Sequence, residues 1–166
     1  MIFLTIGTLD PFDRLVRMVD ELAGAGSMPA EVLAQIGIST YQPKHIRWVS
    51  VLEKNEFDRI FDESEFVISH AGMGSILTAV SRRKPMIVVP RLKQYGEHVN
   101  DHQLDTARRF EEMGVVLTAN TSSELKEKVR SIASFRPRWP ESTRTNLVSR
   151  IRCYLETIQK EKEGSL

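Results

Sequence analysis

The chain has 166 residues, of which 41% are hydrophobic and 27% charged, and its formal net charge is +1 at pH 7. This length is typical of about one globular domain with a sizeable core, and the near-neutral charge excludes a general attraction to nucleic acid or lipid. The single Cys153 cannot form an internal disulfide. The start of the sequence lacks a basic signal-peptide region, and no apolar run reaches the roughly 20 residues of a membrane span. The expected location is therefore the cytosol.

Apolar runs and helical periodicities alternate along the chain, which favours a parallel sheet with helices on both faces. Strands are predicted at Ile2–Ile6, Glu31–Gly37, Ile46–Leu52, Phe66–Ile68, in the run ending at Pro90, and at Val115–Ala119. Helices are predicted from an N-cap at Asp10-Pro11 to Gly24, near Glu53–Asp62, from near Ser75, at about Asp101–Met113, after a capping box at Thr121–Glu124, and at about Glu141–Gln159. The predicted fold class is α/β, a Rossmann-like parallel sheet of about six strands.

The same patterns divide the chain into three parts. Residues 1–134 form the α/β domain, residues 135–159 a linker and a closing helix, and residues 160–166 a frayed tail. The closing helix carries an apolar stripe of Leu147, Ile151, Leu155 and Ile158. This stripe is expected to contact a partner or, as an equal alternative, the chain's own sheet.

The strongest local motif is the glycine turn between the fourth strand and the next helix. His70 ends the strand, and Gly72 and Gly74 let backbone N–H groups approach a ligand at the start of a helix, near Ser75. Unpaired N–H groups and the positive end of a helix dipole form an anion site, here of a size for a diphosphate. The alternative is an ordinary tight turn without a ligand.

Two other chemistries fit the sequence less well. A nicotinamide site needs Gly-x-Gly-x-x-Gly after the first strand, where this chain has only Gly7-Thr8. His98 and His102 have zinc-ligand spacing, but Val99 stands where a zincin has its catalytic glutamate, and His98 is expected on a loop. The sequence contains no Asp-x-Asp, so no ligands for a resident metal are predicted.

Several motifs in order resemble the family 28 glycosyltransferase C-terminal domain. They are Gly7-Thr8, 12–16 (FDRLV), 70–77 (HAGMGSIL), 84–90 (KPMIVVP) and 96–103 (GEHVNDHQ). The resemblance covers roughly residues 1–134 and extends to the small subunits of two-part enzymes, which transfer glucuronate in bacterial exopolysaccharide synthesis or N-acetylglucosamine to dolichol-linked acceptors. It implies the nucleotide-sugar-binding C-terminal half of a GT-B enzyme.

The resemblance also implies site residues. Those expected to hold the diphosphate and nucleotide are Gly7, Thr8, His70, Ala71, Gly72, Gly74, Ser75 and Thr78. Thr78 stands where many relatives have an acidic residue that binds the ribose, which puts ribose recognition in question. Backbone groups of Val51 and Leu52 are expected to hold the uracil, and Arg91, Glu97, Asn100, Asp101 and Gln103 the sugar. The alternative for this loop is a solvated surface with Asn100 or Asp101 as a helix N-cap.

The predicted function is that of the donor-binding subunit of an inverting, metal-independent UDP-sugar glycosyltransferase that needs no cofactor. A membrane-anchored partner is expected to bind a lipid-linked saccharide acceptor, to supply the catalytic base and to hold this chain at the membrane. Because the cations Arg91 and Lys93 lie beside the sugar loop, glucuronate is the expected donor sugar. The alternatives are N-acetylglucosaminyl transfer, a non-catalytic nucleotide-sugar-binding module and a UDP-sugar epimerase.

Overall fold

The computed structural model describes residues 1–139. The strands are β1 (Ile2–Thr5), β2 (Val32–Gln35), β3 (Arg47–Val49), β4 (Phe66–His70), β5 (Met86–Val89) and β6 (Leu117–Thr118). The helices are α1 (Asp13–Gly24), α2 (Lys54–Glu63), α3 (Met73–Ser81), α4 (His102–Glu112) and α5 (Ser122–Ser131), and a 3-10 turn covers Lys93–Tyr95. Among these described helices, none has the length and hydropathy to cross a membrane.

The six strands form one parallel sheet in the order β3-β2-β1-β4-β5-β6, which confirms the predicted fold class. The chain builds outward from β1 on one side and from β4 on the other, so the direction of winding reverses between these two central strands. In such sheets, ligands bind outside the carboxyl ends of the strands at the point of reversal. That point lies between the residues after Thr5 and those after His70.

Buried side chains on both faces of the sheet explain why its strands are nearly continuous apolar runs. On one face, Ile2, Leu4 and Ile68 pack against α1 and α5. On the other face, Phe3 and Val67 pack against α2, α3 and α4. The sheet is therefore covered on both sides, and ligands have access at its edges.

Helix α1 begins two residues later than predicted, at Asp13 and not at Pro11. Phe12, not Asp10, is the N-cap residue, and it makes no side-chain cap. The Phe12 N–H donates to Ser39 Oγ at 3.1 Å and its ring is buried, which holds residues 10–12 outside the helix. Asp13 instead fastens the helix start to the loop after β2, accepting from the Thr40 N–H at 2.9 Å.

Most strands are shorter than predicted, because apolar residues continue into the buried loops that follow them.

The capping box before α5 is confirmed in one direction: the Glu124 N–H donates to Thr121 Oγ1 at 3.2 Å. In the other direction Glu124 Oε2 accepts from the Asn120 N–H at 2.7 Å. After α5 the chain crosses the amino-terminal edge of the sheet, where the Arg138 N–H donates to Gly114 O at 2.8 Å. The predicted closing helix, its apolar stripe and the tail lie outside the described residues.

Candidate functional site at the carboxyl ends of β1 and β4

The turn from β4 into α3 leaves backbone donors at the start of a helix. Gly72 is the N-cap, so no cap side chain accepts from the first N–H groups of α3, and the first helical bond runs from the Ile76 N–H to Gly72 O at 3.2 Å. The helix begins at Met73, earlier than predicted near Ser75. A Cβ placed on Gly74 would meet no atom within 4 Å. The space in front of this helix end is therefore open to a ligand.

His70 lies between the two glycine turns of the site. Its Nδ1 is 3.2 Å from Ser69 Oγ, and a Cβ on Gly72 would come within 2.2 Å of its Nε2. Gly72 is thus required because the imidazole occupies the space of a side chain. Burial, and after it the nearby Arg91 cation, lower the pKa of His70 from 6.5 to about 4, although a hydrogen bond with the Thr5 backbone and the charge of Asp10 act in the opposite direction. The ring is therefore neutral at pH 7.

The turn after β1 faces the same ring. Gly7 has a φ of +81°, which only glycine adopts without strain, and a Cβ there would lie 3.3 Å from His70 Cε1. Gly37, after β2, packs just as tightly: a Cβ on it would lie 2.9 Å from Gly7 O. Thr8 is exposed next to Gly7. The structure thus brings the predicted Gly7-Thr8 and His70–Ser75 segments together at the reversal point.

Two further residues of the predicted nucleotide site lie on α3 or just before it. Ala71 is buried in the core beneath the turn, so it offers only backbone groups. Thr78 Oγ1 donates to Gly74 O at 2.8 Å, within the helix. This bond uses the only hydroxyl proton, so Thr78 can accept a hydrogen bond from a ribose but cannot donate one.

Val51 and Leu52, the predicted uracil segment, follow β3 at the same edge of the sheet. The Leu52 N–H donates to Oε1 of Gln35 at 3.0 Å, and the Gln35 side chain is buried. Val51 is exposed. The uracil contact stays a prediction, and within Leu52 it falls to the carbonyl because the N–H is engaged.

Arg91 lies under the β1–α1 loop and not beside a sugar. The side chain is 2% exposed. Its guanidinium donates to the backbone oxygens of Ile6 and Asp10, both at 2.9 Å, and of Pro11. This placement corrects the expectation that Arg91 meets a carboxylate of the donor sugar, since the guanidinium is enclosed by the protein.

The loop between β5 and α4 is also largely tied into the fold. Glu97 accepts from Arg14 Nε at 2.7 Å, from its terminal nitrogen at 2.9 Å, and from the Leu92 N–H at 2.9 Å. Gln103 is buried, and its Oε1 accepts from the Arg91 N–H at 3.2 Å. Predicted sugar contacts by Glu97 and Gln103 would therefore compete with these internal bonds.

The exposed polar residues of this loop have local partners. Asp101 is the N-cap residue of α4, as the surface alternative expects, but its Oδ1 accepts from the Lys93 N–H at 2.8 Å instead of capping the helix. Asn100 Oδ1 accepts from the His102 N–H at 3.3 Å. Lys93 itself is exposed. Asn100, Asp101 and Lys93 remain on the surface, where a ligand can reach them.

Sequence reasoning missed Ser69, Gln35 and Arg14. Ser69 and Gln35 are buried polar residues at strand ends that fix His70 and Leu52. Arg14 joins the loops after β5 and β6, donating to Pro90 O at 2.8 Å and Asn120 O at 3.0 Å. A polar residue at the last or next-to-last position of an apolar strand is the signal that could have found the first two. No sequence signal marks Arg14, because an arginine on an amphipathic helix normally faces solvent.

Neither a metal centre nor the cavity at the opposite edge of the sheet competes with this site within residues 1–139. No group of three or more His, Cys, Asp or Glu side chains in this range is arranged to hold a metal ion. A cavity of about 410 Å³ opens at the opposite, amino-terminal edge of the sheet, among Met28, Phe66, Pro85 and Phe135. Ligands of open parallel sheets bind at the carboxyl edge, so we assign the site to β1 and β4.

Comparison with known proteins agrees with the fold and the motifs. The glycosyltransferase family 28 C-terminal domain matches residues 1–157. UDP-N-acetylglucosamine transferase subunit ALG13 of Cryptococcus neoformans is 33% identical over 106 residues, which cover 63% of this chain and 49% of that protein. The chain thus spans about half the length of this relative.

Two solved structures share the fold. The solution structure of ALG13 superposes with a TM-score of 0.59 at 23% identity, covering 87% of this chain and 91% of that one. The glycosyltransferase of kitacinnamycin superposes with a TM-score of 0.61 at 18% identity, covering 80% of this chain but only 34% of that one. The second match places the present fold as one part of a longer glycosyltransferase chain.

Proposed function

Because the chain belongs to the glycosyltransferase family 28 C-terminal domain family, we propose that it is the donor-binding subunit of a UDP-N-acetylglucosamine transferase. One observation carries the proposal. The N-terminus of α3, with a glycine as N-cap and open space in front of Gly74, lies beside His70 and the Gly7-Thr8 turn at the reversal point of the sheet. These groups together make an anion site suited to a diphosphate.

The proposed reaction is an inverting sugar transfer. An acceptor hydroxyl attacks the anomeric carbon from the face opposite the diphosphate, a new C–O bond forms, and the bond to the β-phosphate oxygen breaks. UDP leaves with both electrons of that bond, and a base takes the hydroxyl proton. The N–H groups of α3 and of the Gly7 turn then stabilise the charge that develops on the departing diphosphate. This use of backbone donors is the basis for proposing a reaction without a metal.

His70 is better suited to holding the diphosphate than to acting as the base. A base works best when its pKa lies near the operating pH, and burial holds the pKa of His70 at about 4. A neutral imidazole still offers one N–H donor. We therefore assign the base to the partner chain, which would also bind the acceptor.

N-acetylglucosamine replaces glucuronate as the proposed donor sugar. The fungal relative is named as a UDP-N-acetylglucosamine transferase subunit, and Arg91, the main support for glucuronate, is buried against backbone carbonyls. Lys93 is exposed near the loop and is the feature that still favours a carboxylated donor. Glucuronate is therefore kept as the second candidate.

The proposed partner supplies the acceptor-binding half of the enzyme. The relative is named as a subunit, and the kitacinnamycin glycosyltransferase extends over about three times the length that this chain covers. We propose that the partner is membrane-anchored, that the acceptor is a lipid-linked saccharide, and that this chain works in the cytoplasm at the membrane surface.

The test combines binding and transfer. Calorimetry should show that the isolated chain binds UDP, and that UDP-N-acetylglucosamine binds more tightly than UDP-glucuronate or UDP-glucose. Transfer to a lipid-linked acceptor should require addition of the cognate partner. No binding of UDP would overturn the proposed function, tighter binding of UDP-glucuronate would restore the second candidate, and rapid transfer by the chain alone would refute the two-chain arrangement.

A further inference from the structure

Arg91 forms an unusual contact set for a buried arginine. Its guanidinium donates to backbone oxygens of three residues, Ile6, Asp10 and Pro11, all in the loop that follows β1. Its carbon atom Cζ lies 4.6 Å from the centre of the buried Phe12 ring. Within residues 1–139, no carboxylate forms an ion pair with it. The direct hydrogen-bond partners of the guanidinium are therefore neutral carbonyl groups, and the carboxylates of Asp10 and Glu97 act on it only from a distance.

The three carbonyls bracket the Gly7-Thr8 turn. Ile6 precedes the turn and Asp10 and Pro11 follow it, so one planar guanidinium fixes both ends of the segment. The turn needs such an anchor, because glycine is conformationally free and Thr8, Leu9 and Asp10 are exposed. With the anchor, the N–H groups of the turn are held in place before a ligand arrives, which lowers the ordering cost of binding.

Arg91 is itself held rigidly. Its N–H donates to the buried Gln103, and the next residue, Leu92, donates to Glu97. Glu97 in turn binds Arg14, whose Cζ lies 5.2 Å from the centre of the Phe12 ring. The β5–α4 loop therefore acts as a fixed support from which Arg91 reaches the β1–α1 loop.

The buried charge of Arg91 gives a second, electrostatic reason to connect this residue with a bound diphosphate. Burial lowers the pKa of Arg91, and the carboxylates of Asp10 and Glu97 offset this effect only in part, so an anion bound nearby would further favour the buried cation. Arg91 is close enough to His70 to help keep that ring neutral, which places its field within the site. A bound diphosphate would add negative charge near this cation.

We propose that Arg91 is a positioning residue for the donor diphosphate: it holds the Gly7-Thr8 turn in its binding conformation and supplies buried positive charge, without touching the sugar. This proposal rests on the proposed function, because it assigns Arg91 to the same diphosphate site. It predicts that Arg91 affects every nucleoside diphosphate ligand alike and does not select the sugar.

Two substitutions separate the anchor from the charge. Arg91→Lys keeps the charge but cannot span three carbonyls, and Arg91→Gln keeps a donor without the charge. Arg108→Gln is the matched control, because Arg108 is an exposed arginine on α4 whose described partner is Asp105, one turn away. Affinities are measured by calorimetry for UDP, UDP-N-acetylglucosamine and uridine, and folding is checked by thermal melting.

We expect Arg91→Lys to weaken UDP by about tenfold and Arg91→Gln by about thirtyfold or more, with the same factors for the nucleotide sugar. Uridine, which lacks phosphates, should bind with unchanged affinity, and Arg108→Gln should behave as wild type. Hydrogen exchange of the Thr8, Leu9 and Asp10 amides in the unliganded protein should accelerate in both Arg91 variants. If Arg91→Gln does not fold, Arg91→Lys alone still decides the result.

Three outcomes would overturn the proposal. UDP affinity within twofold of wild type in Arg91→Lys, with the fold intact, would remove the positioning role while leaving the proposed function in place. Equal losses for uridine and UDP would show a general structural role. Failure of the wild-type chain to bind UDP would remove both the proposed function and this inference.

Discussion

Two regions at the carboxyl edge of the sheet carry polar motifs of similar appearance, yet they are built in opposite ways. Around Gly7, His70 and Gly72, backbone groups are left available and side chains are small or absent. In the loop from Pro90 to Gln103, by contrast, polar side-chain atoms form hydrogen bonds within the protein, namely those of Arg91, Glu97 and Gln103. The first region therefore leaves the first N–H groups of α3 without a cap side chain, whereas the second has its side chains engaged.

This contrast indicates a different role for each region. A site made of backbone donors fits any diphosphate, because all such ligands present negatively charged phosphate oxygens. A loop whose side chains are already bonded controls where that site lies, while its exposed residues, Asn100, Asp101 and Lys93, remain for contacts with the variable part of the ligand. Four experiments test this contrast between the two regions.

The largest effect is expected from a negative charge at the open helix end. Gly74→Asp should weaken UDP by about a thousandfold, because a carboxylate would occupy the space in front of α3 and repel the phosphates. The Cβ itself meets no atom within 4 Å, so the fold should survive. Calorimetry with UDP measures the loss.

Gly74→Ala is the matched control for this prediction. It adds a methyl group without charge and should weaken UDP by no more than about tenfold, while raising helix stability by about 0.5–1 kcal/mol. Equal UDP affinity in wild type and Gly74→Asp would place the nucleotide elsewhere on the protein.

The second experiment uses the buried imidazole. His70 has a pKa of about 4 when folded and 6.5 when unfolded, so the unfolded chain binds more protons between these values. The free energy of unfolding should therefore be highest above pH 6.5 and fall by about 3 kcal/mol as the pH drops toward 4. Urea denaturation at a series of pH values measures this slope.

Substituting the titrating group gives the control. His70→Asn should flatten the slope between pH 6.5 and 4.5, and saturating UDP should raise the pKa of His70 in the wild type, since a nearby anion favours the charged ring. A slope that is unchanged in His70→Asn would assign the pH dependence of stability to other groups. If UDP does not change the pKa of His70 in an NMR titration, the ring does not lie beside the bound ligand.

The two regions also differ in how far the sequence predicts them. The glycine turn is predictable because its evidence is local: His70, Gly72 and Gly74 are consecutive or nearly so, and a strand and a helix flank them. The sheet and its six strands follow from the same kind of local periodicity. Helix starts were less predictable, since Phe12 is kept out of α1 by Ser39, a residue from another loop.

The roles of Arg91 and Glu97 could not be predicted because their partners are distant in the sequence. Arg91 binds Ile6 and Glu97 binds Arg14, and each pair is separated by more than 80 residues. A polar loop beside a ligand site has the same composition whether its side chains face the ligand or the protein. Only the folded structure distinguishes the two cases, and here it moves Arg91 from sugar selection to loop support.

The third experiment tests whether Glu97 supports the loop or binds the sugar. Glu97→Gln should lower the free energy of unfolding by about 2 kcal/mol, because it removes the charge partner of Arg14, which is only 20% exposed. If support is its role, the affinities for UDP and UDP-N-acetylglucosamine should fall by the same factor. Denaturant unfolding and calorimetry supply the two measurements.

The matched control is Asp101→Asn, at an exposed residue of the same loop. It should leave stability within about 0.5 kcal/mol of wild type. A loss in Glu97→Gln that affects UDP-N-acetylglucosamine but not UDP, with no change in stability, would return Glu97 to direct contact with the sugar.

The smallest effect concerns Thr78. Its hydroxyl proton is bonded to Gly74 O, so it can only accept from a ribose hydroxyl, a neutral bond worth about 1 kcal/mol. Thr78→Val removes that acceptor at nearly constant volume and should weaken UDP by about fivefold, whereas 2′,3′-dideoxy-UDP should bind both forms equally because it has no ribose hydroxyl to donate. Thr78→Asp places a charged acceptor at the same position and should restore or exceed wild-type affinity for UDP, if the carboxylate reaches the ribose and not the phosphates. Equal losses for UDP and the dideoxy ligand in Thr78→Val would show that the residue supports the first turns of α3 and leaves the ribose to other groups.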